Sequence, residues 1–276
     1  AVMTGGHSLL HLVPRATDGQ EVVSSVVRSE PEADEMATWL DAFENLTTYL
    51  GVHHPHELLE VATTSEVVVA GPRVPDGPGP AWDDVAALLV AESSADAVLA
   101  RVCSVGSPLV EPDAGVAAYA APTFSPGRPV VEALAELTSR IFSDFTFDPA
   151  FSDVSTPLSE VLEHRRGVCQ DFAHLAIGCL RSVGLPARYV SGYIETEPPP
   201  GQPKLVGADA SHAWCASYLP GWGWLDLDPT NDQVAPARHV TVAWGRDYHD
   251  VAPVRGVVVG PAAPQQLSVA VDVGRA

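Results

Sequence analysis

Gly167-Val168-Cys169-Gln170-Asp171-Phe172-Ala173-His174-Leu175, preceded by Arg165-Arg166, opens a run in which Phe172, Ala173, Leu175, Ala176, Ile177, Cys179 and Leu180 are apolar on nearly every side. That is the pattern of a helix buried in the middle of a domain. Gly184 and Pro186 end it. Cys169 follows a glycine turn and stands in the first turn, where backbone N–H groups and the positive end of the helix dipole face its sulfur. Negative charge on the sulfur is favoured there, and the neighbouring Arg165 and Arg166 add to it. A backbone N–H at such a terminus also serves an oxyanion, so one turn of chain supplies a nucleophile and half an oxyanion hole.

Three β-prone runs follow: Tyr189 to Tyr193, Ser211-His212-Ala213-Trp214-Cys215-Ala216-Ser217-Tyr218, and Gly223-Trp224-Leu225-Asp226-Leu227-Asp228 before Pro229. If the second and third pair as a hairpin around Pro220-Gly221, a histidine near the start of one strand lies opposite an aspartate near the end of the next. A base and its orienting carboxylate need that geometry.

Gly-Val-Cys-Gln-Asp-Phe-Ala-His, Ser-His-Ala-Trp and Asp-Pro-Thr-Asn, in this order and spacing, resemble the bacterial transglutaminase-like superfamily. The resemblance implies a papain-like core with Cys169 as nucleophile, His212 as general base and acid, and Asp228 orienting His212. Asp226 is the rival acid, because two residues back on a strand it faces the same side. Asp228 is preferred because the family's acid sits immediately before Pro-Thr. Relatives draw a second oxyanion contact from an upstream aromatic hydroxyl or amide. Phe147 has no hydroxyl, and Gln170, adjacent to Cys169, points elsewhere on the helix.

Outward from this core, the 276 residues suffice for one large or two modest domains. Acids outnumber bases 35 to 15, a net charge of −20, which disfavours nucleic acid or an anionic membrane as partner. No apolar run approaches the roughly 20 residues of a spanning helix. The first residues carry no secretion signal, though Ala1-Val2-Met3 leaves an upstream segment open. Four cysteines do not form a disulfide framework, and a cytoplasmic, reducing location is expected.

His7–Val13, Glu21–Arg28, Asp41–Leu50 and Leu58–Val69 read as strands of a small antiparallel, sandwich-like unit. Asp41, Phe43 and Asn45 in it resemble the β-rich domain that precedes the core in these bacterial proteins. Glu44 stands where the family has glycine. Gly71-Pro72 to Pro80 is a linker or an inter-element loop, and Trp82–Ala91, Ala95–Val102 and Val130–Phe142 are helical. Pro157 starts another helix. His239–Trp244, Val254–Val259 and Leu267–Val273 are β-rich, the last two closing the core's antiparallel sheet. The fold expected is α+β: an N-terminal β-rich, sandwich-like domain with short helices over 1–118, and a papain/transglutaminase-like core over 119–276.

Other candidate chemistry has plainer readings. His53, His54 and His56 are a solvated turn, since a structural zinc wants four ligands. Cys169 and Cys179 are roughly 15 Å apart along a helix and cannot share a metal. Cys103, Cys179 and Cys215 read as small core hydrophobes, His174 as a core histidine, Asp171 as a cap, and Trp214, Trp222 and Trp224 as sheet-packing aromatics.

No metal or cofactor is implied. The function expected is thiol-dependent acyl transfer on an amide, peptide or protein substrate, with hydrolysis as a cysteine protease or amidase first. Transamidation, an arylamine acetyltransferase and a silent peptide-binding module are the alternatives. The Pro-rich loop 197–207, with the only lysine, Lys204, is expected to overhang the cleft and gate it.

Overall fold

A computed structural model describes residues 2–71, 73–196, 210–234, 236, 238–261 and 266–275. The N-terminal part holds strands β1 (Gly5–Leu10), β2 (Gln20–Glu30), β3 (Glu35–Leu40), β4 (Leu46–Val52) and β5 (Glu60–Val69). Helices α1 (Trp82–Ala91), α2 (Ala95–Val102), α3 (Ala114–Ala120) and α4 (Val130–Asp144) follow, then β6 (Thr146–Phe147), α5 (Leu158–His164) and β7 (Arg166–Gly167). The remainder is α6 (Cys169–Ser182), β8 (Ala187–Ile194), β9 (Ala210–Leu219), β10 (Gly223–Asp228), β11 (Gln233–Val234), β12 (His239–Gly245), α7 (Tyr248–Val251) and β13 (Val254–Val259). Among the described residues no helix is long and apolar enough to cross a membrane.

The core is a five-stranded antiparallel sheet in the order β11-β10-β9-β8-β12 with α6 across one face. Leu175, Ile177 and Leu180 of α6 meet Ala213, Cys215, Leu225, Leu227 and Val242 of the strands. All-round burial of α6 follows from its all-round apolar composition: α3 and α4 cover the sides the sheet leaves, through Val116, Tyr119, Leu134, Leu137 and Ile141. Helix α3 had no expectation from sequence; its seven residues are too few for a clear helical period.

The N-terminal sheet runs β13-β1-β4-β3, and the β2–β5 ladder packs on it through Leu10, Leu50, Val52, Val27 and Val61. Three expectations are corrected. Val254–Val259 does not close the core sheet but pairs along β1, Leu10 to Val254 through Gly5 to Val259, filling an edge that β4 leaves open. Residues 266–275 form no strand; Val271 makes a single isolated bridge. Asp41–Leu50 is also not one strand. The Asp41 carboxylate accepts from the Phe43 and Asn45 N–H groups (2.8 and 2.9 Å), so the chain turns before β4 begins. Glu44 sits in that turn at φ +60°, the conformation for which glycine is the usual residue.

The two parts are joined by side-chain amides that complete the free edge of β12. Asn45 Oδ1 accepts from the Trp244 N–H (2.9 Å), and its Nδ2 donates to the Trp244 carbonyl (2.8 Å). Gln20 does the same at Thr241, accepting from its N–H (2.9 Å) and donating to its carbonyl (2.8 Å). Each amide stands in for a neighbouring strand.

Candidate active site

Cys169 is the first residue of α6 and is half-buried. Val168 before it is extended (φ −117°, ψ −177°). Its N–H donates to Asp171 Oδ2 at 2.7 Å, and the Ser152 hydroxyl donates to the same oxygen. Gly167 is required by this cap, since a Cβ there would lie 2.8 Å from the Asp171 side chain. Asp171 therefore holds the cysteine's turn, and burial raises its carboxyl above the usual range. Arg165 lies over the Tyr119 and Phe145 rings (4.9 and 4.8 Å) and Arg166 pairs with Asp148 at 3.5 Å, so each cation has a partner of its own.

His212, on β9, faces the Cys169 thiol, and the two interact electrostatically. Its Nε2–H donates to Asp228 Oδ2 at 2.8 Å, which leaves Nδ1 as the nitrogen for the sulfur. The hairpin β9–β10 forms as expected, and Gly221 takes φ +77° at its turn. The register pairs Leu227 with Cys215, so Asp228 at the strand's end reaches His212 on the diagonal rather than directly across. Asp226 makes no hydrogen bond to His212. It is coupled instead to Arg188, whose guanidinium is stacked between Trp224 and Trp244 (4.1 and 3.6 Å).

Asp228 is fully buried, and five donors surround it. Oδ2 accepts from His212, from the Asn231 amide (2.7 Å) and from His239 Nε2 (2.7 Å); Oδ1 accepts from the Thr230 and Asn231 N–H groups (3.0 and 3.2 Å). Sequence reasoning missed Asn231 and His239. Asn231 was visible within Asp-Pro-Thr-Asn, three residues after the acid. His239 was not, because β12 is three places from β10 in the sheet. At about 4.8 Å per strand the separation is too great for a flat sheet. The sheet is tightly packed at Gly192, where a Cβ would run into the Val240 carbonyl oxygen and the Trp214 ring. Trp214 lies along His212 (centroids 6.1 Å, 27°) and meets the His239 ring edge-on (4.8 Å, 87°).

These contacts set the charges. Burial pulls the His212 pKa down, but the hydrogen bond to Asp228 and the interaction with Cys169 prevail and lift it to about 9. Burial would raise Asp228, yet the two imidazoles hold its carboxyl well below the usual range. Burial, the largest cause in each, pushes the Cys103 thiol to about 11 and Cys179 to about 12; Cys215, beside Asp226 and Asp228 as well, is also raised. His174 is buried and pushed down to about 4, with Nε2 accepting from the Tyr248 N–H (3.1 Å). Gln170 Nε2 lies 3.5 Å from the Val154 carbonyl, and Phe147 is half-exposed.

Among the described residues, His212, Asp228 and His239 are the group whose potential ligand atoms converge. At N···O separations of 2.7–2.8 Å these atoms share protons as hydrogen bonds. His54 meets Asp34 at 3.1 Å and His53 meets Glu35 at 3.8 Å, so acids from β3 and the turn before it stand beside the histidine turn. Loop 197–207 lies outside the described residues.

Comparison with known proteins gives the family and the fold. Residues 117–229 match the transglutaminase-like superfamily, and residues 1–68 match the bacterial transglutaminase-like N-terminal region. An uncharacterized protein of Mycobacterium tuberculosis is 40% identical over 279 residues, covering 99% of this chain and 88% of its own. One from Mycobacterium leprae is 32% identical, covering 99% and 93%. A crystal structure from Cytophaga hutchinsonii, described as a candidate cysteine protease, superposes with TM-score 0.71 at 20% identity over 92% of this chain and 81% of that one. The fold is thus the mixed α+β papain/transglutaminase-like one, with a β-rich N-terminal region.

Proposed function

This chain belongs to the transglutaminase-like superfamily, and from that premise we propose that it is a thiol-dependent acyl-transfer enzyme acting on amide or peptide bonds. The Cys169 sulfur attacks the carbonyl carbon, and its proton resides on His212 Nδ1. The oxyanion that forms meets the N–H groups at the start of α6. Collapse breaks the C–N bond, His212 gives its proton to the departing amine, and a thioester remains on Cys169. Water, deprotonated by His212, then releases the acid. Asp228 keeps its charge throughout, holding the imidazole's tautomer and orientation.

The observation that carries this reading is His212, held by Asp228 at 2.8 Å from its Nε2 and facing Cys169 at the start of α6. A surface depression of about 430 Å³ lined by Phe151, Ser152, Asp153 and Thr156 lies beside the cysteine turn, to which Ser152 is hydrogen-bonded through Asp171.

Transamidation is the second reading. A 79-residue segment is 42% identical to the protein-glutamine gamma-glutamyltransferase of Pseudomonas aeruginosa, although it covers only 28% of this chain and 12% of that enzyme. A transferase must hold an amine against water at tens of molar, which needs a second shaped site. The test incubates the protein with peptide and glutamine-containing substrates plus a millimolar primary amine and reads products by mass spectrometry. Acid product with a transient acyl adduct on Cys169 supports hydrolysis. Predominant amine conjugate moves the assignment to transamidation, and neither product with any substrate counts against an enzyme.

A further inference from the structure

Two imidazoles, from β9 and β12, share one oxygen of one buried carboxylate. A base–carboxylate pair requires one. We infer that His239 is a positioning residue that tunes, through the shared Asp228 oxygen, how firmly His212 holds its proton opposite Cys169. The inference rests on the proposed roles of Cys169, His212 and Asp228.

The geometry fixes the proton. Asp228 Oδ2 only accepts, so the 2.7 Å contact requires a proton on His239 Nε2. The other ring nitrogen, Nδ1, is buried without a hydrogen-bond partner, which suits the neutral tautomer with a lone pair there. His239 itself is buried, and its ring meets His212 at 5.2 Å and 66° and Trp214 edge-on. It can neither rotate away nor exchange its partner for water.

The direction of the effect follows. A donor on Oδ2 draws charge from the oxygen that faces the His212 proton, so Asp228 attracts that proton less than a carboxylate bonded to His212 alone. The charged and titratable groups facing the pair are Asp228 and Asp226 on β10, Arg188 on β8 and Cys169 on α6. None of these is altered by substituting His239. Taking away the donor, or any positive charge on that ring, moves His212 the same way, toward holding its proton to higher pH.

The test is a ring-nitrogen NMR titration of histidine-labelled full-length protein, with the alkaline limb of kcat/KM as companion. In H239F, which keeps a ring against Trp214 and removes the donor, the His212 midpoint should rise by about half to one pH unit, a roughly 3- to 10-fold gain in proton affinity. H239Q, which returns an N–H donor near the Nε2 position, should restore the wild-type midpoint. An unmoved or lowered midpoint in folded H239F, or H239Q shifting as far as H239F, would overturn the inference. If H239F does not fold, the wild-type spectrum decides: a His239 ring with its proton on Nδ1 and none on Nε2 refutes the shared-oxygen arrangement. The catalytic reading fails separately, by wild-type His212 titrating as an ordinary histidine without any amide turnover.

Discussion

Asn45 clasps the main chain of Trp244, accepting from its N–H and donating to its carbonyl across 199 residues of sequence. The same Oδ1 takes the Arg15 guanidinium at 2.6 Å, and Arg15 lies over the Trp244 ring at 3.2 Å. Asn45 is fully buried, so no water replaces it. Asn45→Ala should destabilise the protein by about 3 kcal/mol or more, because two buried backbone groups and a guanidinium lose partners together. Urea unfolding measures it; a loss under about 1 kcal/mol would mean that the clasp is dispensable.

Alkylation should single out one thiol. Iodoacetamide at mildly acidic pH is expected to modify Cys169, half-exposed and facing His212, before Cys103, Cys179 or Cys215, which are buried with raised pKa values. Peptide mapping reads the order. Comparable labelling of all four would remove the nucleophile from Cys169.

The two acids of β10 should separate in kcat/KM. Asp228→Ala is expected to lower it by about 10³-fold or more, since His212 loses the group that fixes its tautomer. Asp226→Ala should cost roughly 10-fold or less in rate and should act mainly on stability, through Arg188, which loses its principal counter-charge. Melting curves on both variants keep folding and chemistry apart, and the reverse ranking in rate would make Asp226 the orienting acid.

Stability should fall on acidification through His174. Its pKa is depressed from 6.5 to about 4 by burial, so between those values the unfolded chain binds the proton and the folded one does not. Stability is therefore complete above about pH 6.5 and declines by about 3 kcal/mol as pH falls to about 4. His174→Gln removes this dependence, whatever its own offset. A parallel stability–pH slope in the variant would assign the acid limb to other groups.

Gly192→Ala should disconnect His239 from Asp228. The added methyl meets the Val240 carbonyl and the Trp214 ring, so β12 must lift from β8. Lower melting temperature with reduced turnover is expected, and a Cys169 alkylation rate equal to wild type would show that the catalytic pair tolerates the opening.

Local chemistry made part of this protein legible from sequence. All-round apolarity of Phe172–Leu180 announced the buried helix, Gly167 and Val168 put Cys169 at its start, and Pro220-Gly221 marked the hairpin that brings β10 beside β9. Each of these depends on residues near one another in the chain. Strand alternation, however, says which face a residue takes and nothing about which strand lies beside it. Val254–Val259 therefore read as core sheet when it edges β1. The turn at Asp41–Asn45 was hidden because it is made by a side chain accepting backbone protons within a β-prone run. His239 and Asn45 acquire partners only when the assembly of the core sheet and the docking of the N-terminal sheet bring distant segments together. Sequence alone determined the buried helix, its cysteine and the order of the candidate triad. Tertiary structure decided which carboxylate His212 holds, and that a second histidine shares it.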